Sequence, residues 1–308
     1  MKKKTFIILV ITFNVLLLGT LFFLNYVLRN KEFSGAQDRF RAWNPESADV
    51  VFVGNSHQFF GVNPDILYSD YDIESFMLAT SAQTVPESYY AAMEAIELKH
   101  PEKIAFEISY VANDFRTVSS EMDHCFFDGM PLCRTRRLAI NDLIDDENKI
   151  YYYLPLGLYH VRWKELKSSD FEEVSLSERG TYTTPAVFEN WAIPVINSDE
   201  QSPMPTEMEK YFLKLIDLCK ENNTELILYV LPFNSLYEDE DGVSDLYNRQ
   251  RIFNYACDLA TENGVRAYNF FYSIDEIGLD PSTDWADSQH LSTLGQEKFT
   301  RFLVNYLN

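Results

Sequence analysis

Residues 5–28 carry no charged side chain, and beyond them apolar positions recur with two distinct periods. About 20 apolar helical residues cross the hydrocarbon of a bilayer, so this first run predicts one membrane-spanning helix. Lys2, Lys3 and Lys4 precede it and predict a cytoplasmic N-terminus, with everything after Arg29 on the outer side. A cleaved signal peptide has a shorter apolar core that closes on small residues. This run closes on Phe22-Phe23-Leu24-Asn25-Tyr26-Val27-Leu28, which favours an uncleaved anchor.

After a charged stretch over 31–48, expected as a juxtamembrane connector, short apolar runs predict strands at 49–53, 75–79, 104–108, 226–231 and 265–270. Between them lie helical patterns. One begins near Pro86 and stops at Lys99-His100-Pro101; another follows Pro205, with Phe212, Leu215, Ile216 and Cys219 on one face. A third, over 247–261, is closed by Asn263-Gly264, and a last one spans 296–307. Strands alternating with helices predict an α/β fold with a parallel sheet covered on both faces. Over about 115–204 the periodicity dissolves into aromatic clusters (Tyr151-Tyr152-Tyr153, Trp163, Trp191) and prolines. So long a stretch without elements is improbable in a compact domain, so it is expected to hold helices within an insertion or cap over the sheet. The expected organisation is an anchor over 1–30, the connector, and one domain over 49–308.

The chain has 308 residues and a formal charge of −21. That charge opposes a phosphate backbone, so a nucleic-acid partner is excluded. Cys125 and Cys133 bracket a turn at Asp128-Gly129-Met130-Pro131 that an exported chain could bridge, whereas Cys219 and Cys257 sit among apolar neighbours as core residues. No cysteine has metal-ligand spacing, and no metal or cofactor is expected.

Gly54-Asn55-Ser56 closes the first predicted strand, and Asp287-Ser288-Gln289-His290 precedes the last helix. In an open parallel sheet ligands gather beyond the C-terminal ends of the strands, which is where Ser56 falls. A serine attacks a carbonyl only if a base takes its proton and a third group orients that base. Ser56 is the candidate nucleophile, His290 the base and Asp287 its orienter. Taken singly, each has a plainer reading: Ser56 as a helix cap, Asp287 as a cap, His290 as a surface residue. His57, adjacent to Ser56, is expected to line the substrate pocket rather than act as base. His100, His124 and His160 read as structural.

Gly54-Asn55-Ser56 resembles the Gly-Asp-Ser block of the SGNH/GDSL hydrolase superfamily, and Asp287-Ser288-Gln289-His290-Leu291-Ser292 with Gly295 resembles its final Asp-x-x-His-Leu-x-x-x-Gly block. The anchor and insertion resemble exported members acting on cell-envelope polymers, such as the D-alanyl transfer protein of teichoic acid and alginate O-acetyltransferases. The likeness covers about half the chain. It implies a flavodoxin-like three-layer sandwich around a parallel sheet. It also implies an oxyanion hole from the Ser56 N–H, a backbone N–H near Ser81 and the Asn113 side chain. Two departures stand out: the second block, Leu78-Ala79-Thr80-Ser81-Ala82-Gln83, has no glycine, and Val111-Ala112-Asn113-Asp114 keeps Asn-Asp but loses the preceding glycine.

The expectation is therefore a membrane-anchored, extracytoplasmic serine esterase or O-acyltransferase. Its substrate would be an acylated glycan or a small ester, with an envelope acyl-transfer partner possible, and the aromatic insertion could bind sugar rings. An alternative is a catalytically idle domain of the same fold serving envelope assembly or binding. A plain lipase is disfavoured because no Gly-x-Ser-x-Gly elbow surrounds Ser56.

Overall fold

A computed structural model describes residues 3–29, 35–113, 120–172, 176–188, 199–232 and 245–307. Its centre is a sheet of five parallel strands, β1 Val50–Gly54, β2 Ser75–Ala79, β3 Lys103–Glu107, β4 Glu225–Val230 and β5 Arg266–Asn269, in the order β2-β1-β3-β4-β5. Each strand falls within about two residues of its expected place. Buried on both faces, the interior strand β1 reads as an unbroken apolar run, and the edge strand β2, also buried, is apolar after Ser75.

The helices are α1 Lys3–Leu28, α2 Gly35–Ala42, α3 Ser56–Gly61, α4 Pro64–Tyr71, α5 Val85–Lys99, α6 Ser120–Asp128, α7 Arg134–Leu143, α8 Lys149–Tyr153, α9 Leu156–Tyr159, α10 Thr206–Glu221, α11 Asp245–Glu262, α12 Ile274–Ile277 and α13 Thr293–Leu307. The period of two along each strand sorts the core into two layers. Val51, Val53, Ile104, Phe106 and Leu228 face α5, α10 and α11, through residues such as Ala91, Phe212 and Phe253. Val50, Phe52, Ala105 and Tyr229 face α3, α4 and α13, through Phe59, Leu67, Phe299 and Leu303. The result is a three-layer α/β sandwich.

Two stretches differ from expectation. Within 31–48 the chain forms α2, and Phe40 and Trp43 are core residues, so by residue 35 the chain is already part of the body. Its charges concealed this, because Arg41 pairs with the buried Glu94 and only two aromatic side chains point inward. Among its described residues the insertion contains α6 to α9 and two 3-10 turns, and Phe126, Phe127, Ala139 and Ile140 extend the α5 side of the core instead of capping the sheet. Farther on, the chain turns back along the β2 edge, where Arg179 O accepts Met77 N–H at 2.9 Å. Cys125 and Cys133 are free thiols, and Cys133 Sγ caps α7 by accepting Arg136 N–H at 3.3 Å. Trp191 lies outside the described residues.

The start of α13 is locked to the loop before it. A Cβ on Gly295 would stand 2.2 Å from the Asp284 carbonyl oxygen, a distance no side chain can adopt. Gly295→Ala must therefore push α13 away from residues 284–292. Overpacking of this kind costs about 1–3 kcal/mol, and a lowered thermal midpoint is the expected result.

Candidate active site

In this strand order the chain diverges between β1 and β3, and crevices open at such switch points beyond the C-terminal strand ends. Ser56 leaves the end of β1 and is the first residue of α3. Gly54, at φ +151°, allows the sharp exit: a Cβ there would press on Gln58 at 3.1 Å. Asn55 then caps α3, its Oδ1 accepting His57 N–H at 2.7 Å, while its Nδ2 donates to Ser109 Oγ at 3.2 Å.

His290 and Asp287 come from a closed loop. Trp285 and Leu291 form an antiparallel bridge across its base, and Ala286 N–H donates to His290 O at 2.8 Å. At the tip Asp287 Oδ1 accepts the N–H groups of Gln289 at 2.7 Å and His290 at 2.9 Å. That turn points the ring at its own carboxylate, with His290 Nδ1 at 2.8 Å from Asp287 Oδ2. The opposite nitrogen, Nε2, lies 2.8 Å from Ser56 Oγ. Ser56, 234 residues from His290 in sequence, thus joins His290 and Asp287 in one chain of hydrogen bonds. Phe60 packs on the imidazole at 4.4 Å between centroids and Tyr182 packs on Phe60 at 5.1 Å, so the returning segment of the insertion helps wall the site.

His57 lies behind this array, only 4% exposed, its ring 5.1 Å from that of His290. Burial, followed by the charges of His290 and Arg249, holds its imidazolium well below the usual range, so it stays neutral. Its enclosure suits packing behind the base more than contact with substrate. Asn113 ends the 3-10 turn after β3 and accepts Arg249 Nη1 at 2.7 Å through Oδ1, which leaves its Nδ2 as the amide's donor. Ser81 lies in the turn after β2, whose Thr80 N–H donates to Gly54 O at 3.3 Å; among the described residues Ser81 makes no bond to Ser56 or His290. In that same turn Ala82 has φ +53°, the left-handed conformation that glycine adopts without strain, so the backbone takes a glycine's shape without the glycine. Asp114 lies outside the described residues. Among the described residues no group of His, Cys, Asp and Glu could hold a metal ion.

Beneath the turn that carries Ser56 runs a buried polar chain with no sequence motif of its own. Ser109 Oγ donates to Glu107 Oε2 at 2.6 Å, Glu107 N–H donates to Gln58 Oε1 at 3.0 Å, and Gln58 Nε2 donates to Tyr229 OH at 2.5 Å. The only hint in the sequence is an acidic residue inside the apolar run of β3. Arg249, Phe60 and Tyr182 had no such hint. Burial pushes the Glu107 carboxyl up to about 7, although the hydroxyl and N–H of Ser109, the Leu231 N–H and the Asn55 amide pull it down.

No family model matches the chain, and no curated protein matches it. Several solved structures are similar. One, from Bacteroides fragilis and assigned as an acylhydrolase, is 12% identical over 91% of this chain and 98% of its own, at a TM-score of 0.45. An acetyl xylan esterase is 10% identical over 84% and 99%, at 0.40. A protein from Parabacteroides merdae assigned as a GDSL-like lipase is 12% identical over 86% and 99%, at 0.39. Likeness this distant leaves the functional reading to the chain's own geometry.

Two titrations follow from the geometry. Between about pH 4.5 and 7 the unfolded chain has released the Glu107 proton and the folded one has not, so stability falls as pH rises through that window and levels off above it. Across the window the thermal midpoint of the native chain should fall relative to that of Glu107→Gln, a comparison that cancels the opposite titration of His57, whose lowered imidazolium adds stability as pH rises. For Asp287, burial alone would raise the carboxyl, but the His290 hydrogen bond and charge and the two backbone N–H groups outweigh it and bring it to about 2. Its contribution to stability is present above about pH 4 and is lost as pH falls toward 2, modestly because the side chain is 52% exposed. Asp287→Asn should abolish that acid dependence and, if His290 is a base, lower kcat by about 10⁴ through loss of tautomer control.

Proposed function

We propose that the chain is a serine-dependent carboxylic ester hydrolase or O-acyltransferase of SGNH/GDSL type. In this reading α1 anchors it in the membrane, and it acts outside the cytoplasm on acyl esters of a cell-envelope polysaccharide or related glycopolymer. The observation that carries the reading is the aligned series Ser56 Oγ–His290 Nε2 and His290 Nδ1–Asp287 Oδ2, each 2.8 Å long. Few structural roles need a hydroxyl, an imidazole and a carboxylate in series at the open end of a sheet.

In the proposed reaction His290 Nε2 takes the Ser56 proton as Oγ attacks the ester carbonyl. Asp287 holds Nδ1–H and stabilises the imidazolium that forms. The oxyanion is received by the Ser56 N–H, which at the first position of α3 has no acceptor within the helix, by a backbone N–H near Ser81, and by Asn113 Nδ2. His290 then protonates the leaving alcohol, and water or a sugar hydroxyl, deprotonated by the same nitrogen, releases the acyl group from Ser56.

The membrane assignment draws support from α1, 26 residues long with a mean hydropathy of 2.7 over its most apolar 18. An envelope substrate follows from an outward-facing anchored domain, and transfer differs from hydrolysis only in which hydroxyl reaches the acyl-enzyme. Full-length protein incubated with an acylated glycan and a second, unacylated one separates the two: acyl release without modification of the second glycan would limit the activity to hydrolysis.

A fluorophosphonate probe tests the nucleophile directly. Labelling should map to Ser56 and vanish in Ser56→Ala and His290→Ala. Ser56→Ala should lower kcat by a factor of about 10³ or more while moving stability by no more than about 0.5 kcal/mol. A native chain that stays unlabelled, or a Ser56→Ala variant that still turns over ester, would overturn the assignment.

A further inference from the structure

Helix α1 is not bare along its whole length. Phe6 and the residues up to Phe23 stand almost entirely exposed, Leu24, Asn25 and Tyr26 are half-buried, and Val27 and Leu28 are buried. The bare portion, at about 1.5 Å per residue, is roughly 27 Å long, close to the approximate 30 Å of bilayer hydrocarbon. If α1 spans, the hydrocarbon ends where the folded body begins, and the body's surface around Leu24–Leu28 must stand at the level of the lipid headgroups.

That surface is built by the insertion. Arg162 Nη1 donates to Leu28 O and Arg29 O, both at 2.6 Å, and its Nη2 pairs with Asp170 at 2.7 Å. Arg29 in turn donates to Asp128 O at 2.9 Å and pairs with Asp38. The last carbonyls of α1 are thus tied to the 3-10 turns His160–Lys164 and Ser168–Phe171, so those turns share the height of the helix's exit.

The same turns and α9 expose apolar side chains. Trp163 is 64% exposed, Phe171 54% and Val161 53%, with Leu154 and Leu158 alongside. Basic groups alternate with them: Lys164 reaches over the Trp163 ring at 5.7 Å, and Lys167 follows. Over 154–171 three cations, Arg162, Lys164 and Lys167, stand against Glu165 and Asp170, a formal charge of +1 in a chain whose total is −21. Tryptophan beside lysine, with aliphatic neighbours and a basic face, is the composition that lies in the headgroup region of anionic bilayers.

We infer that residues 154–171 form a second membrane contact, a collar lying on anionic lipid around the exit of α1. Trp163, Val161 and Phe171 enter the boundary between headgroups and acyl chains, and Lys164 and Lys167 meet lipid phosphates. This rests on the reading of α1 as a membrane span. Two contacts prevent the body from swinging about the helix, so the crevice at Ser56 keeps one height and tilt above the membrane, which suits a substrate held at that surface.

The test uses the full-length chain in membranes of phosphatidylcholine and phosphatidylglycerol with shallowly brominated acyl chains. Of the four tryptophans Trp43 and Trp285 are buried, and with Trp191→Phe as the common background bromine should quench a component of emission that the further change Trp163→Phe removes; the quenching should weaken when phosphatidylglycerol is omitted. Extraction of the same membranes with alkaline carbonate reports on α1 separately. A chain that resists extraction but is quenched equally with and without Trp163 would overturn the collar and leave the anchor standing. A chain that carbonate removes would overturn both. Quenching of Trp163 by soluble oligosaccharide, and not by brominated lipid, would make this face a glycan surface and also overturn the proposal.

Discussion

A buried parallel strand must exchange every backbone hydrogen bond with strands on both sides, and β1 does so with β2 and β3. That constraint organises the molecule. Because β1 occupies an interior position and the chain goes to opposite sides of it in successive crossovers, its C-terminal end opens on the one crevice the sheet order provides. Ser56 stands at that opening because Gly54 lets the chain turn within two residues of the last strand bond. Without both faces of β1 covered, neither the turn nor the polar chain of Asn55, Ser109, Glu107 and Gln58 beneath it would have a fixed position.

The second half of the site reaches the first by packing. α13 lies on the sheet face lined by Phe52, Ala105 and Tyr229 through Phe299 and Leu303, and this sets the height of its N-terminus. Gly295 lets α13 and the 284–292 loop approach to backbone contact, and the Trp285–Leu291 bridge closes the loop so that Asp287 and His290 project together. Gln296 adds a direct tie, its Nε2 donating to Phe59 O at 2.8 Å and Tyr182 O at 2.9 Å. One amide therefore joins the helix that carries Ser56, the returning segment of the insertion and the helix that follows His290.

The insertion divides its work between the two ends of the molecule. Its early part, α6 to the 3-10 turns, thickens the α5 side of the core and grips the last turn of α1. Its later part follows the β2 edge and brings Tyr182 to Phe60 and so to the wall around His290. Helix α1 and the crevice at Ser56 thus both pack against this insertion, which has little periodicity because each part packs on a different partner.

Where each strand would lie, and which turns would carry Ser56, Asp287 and His290, were legible in the chain, because both depend on short-range rules. Runs such as Val50-Val51-Phe52-Val53 mark a strand buried on both faces, and Gly-Asn-Ser after it marks a turn. Asp287 and His290 stand three residues apart, the separation at which a carboxylate can accept the intervening N–H groups and still meet the ring. The α2 segment, the packing of the insertion, the burial of His57 and the polar chain through Glu107 were not legible. Each depends on which surface the residue meets after folding, and a charged residue next to Phe40 or inside β3 looks the same in sequence whether it faces water or a buried partner. The 2.8 Å contact between Ser56 and His290 belongs to this second kind. Local pattern supplied the two ends of that bond, but only the order of five strands and the seating of α13 decided that they would meet.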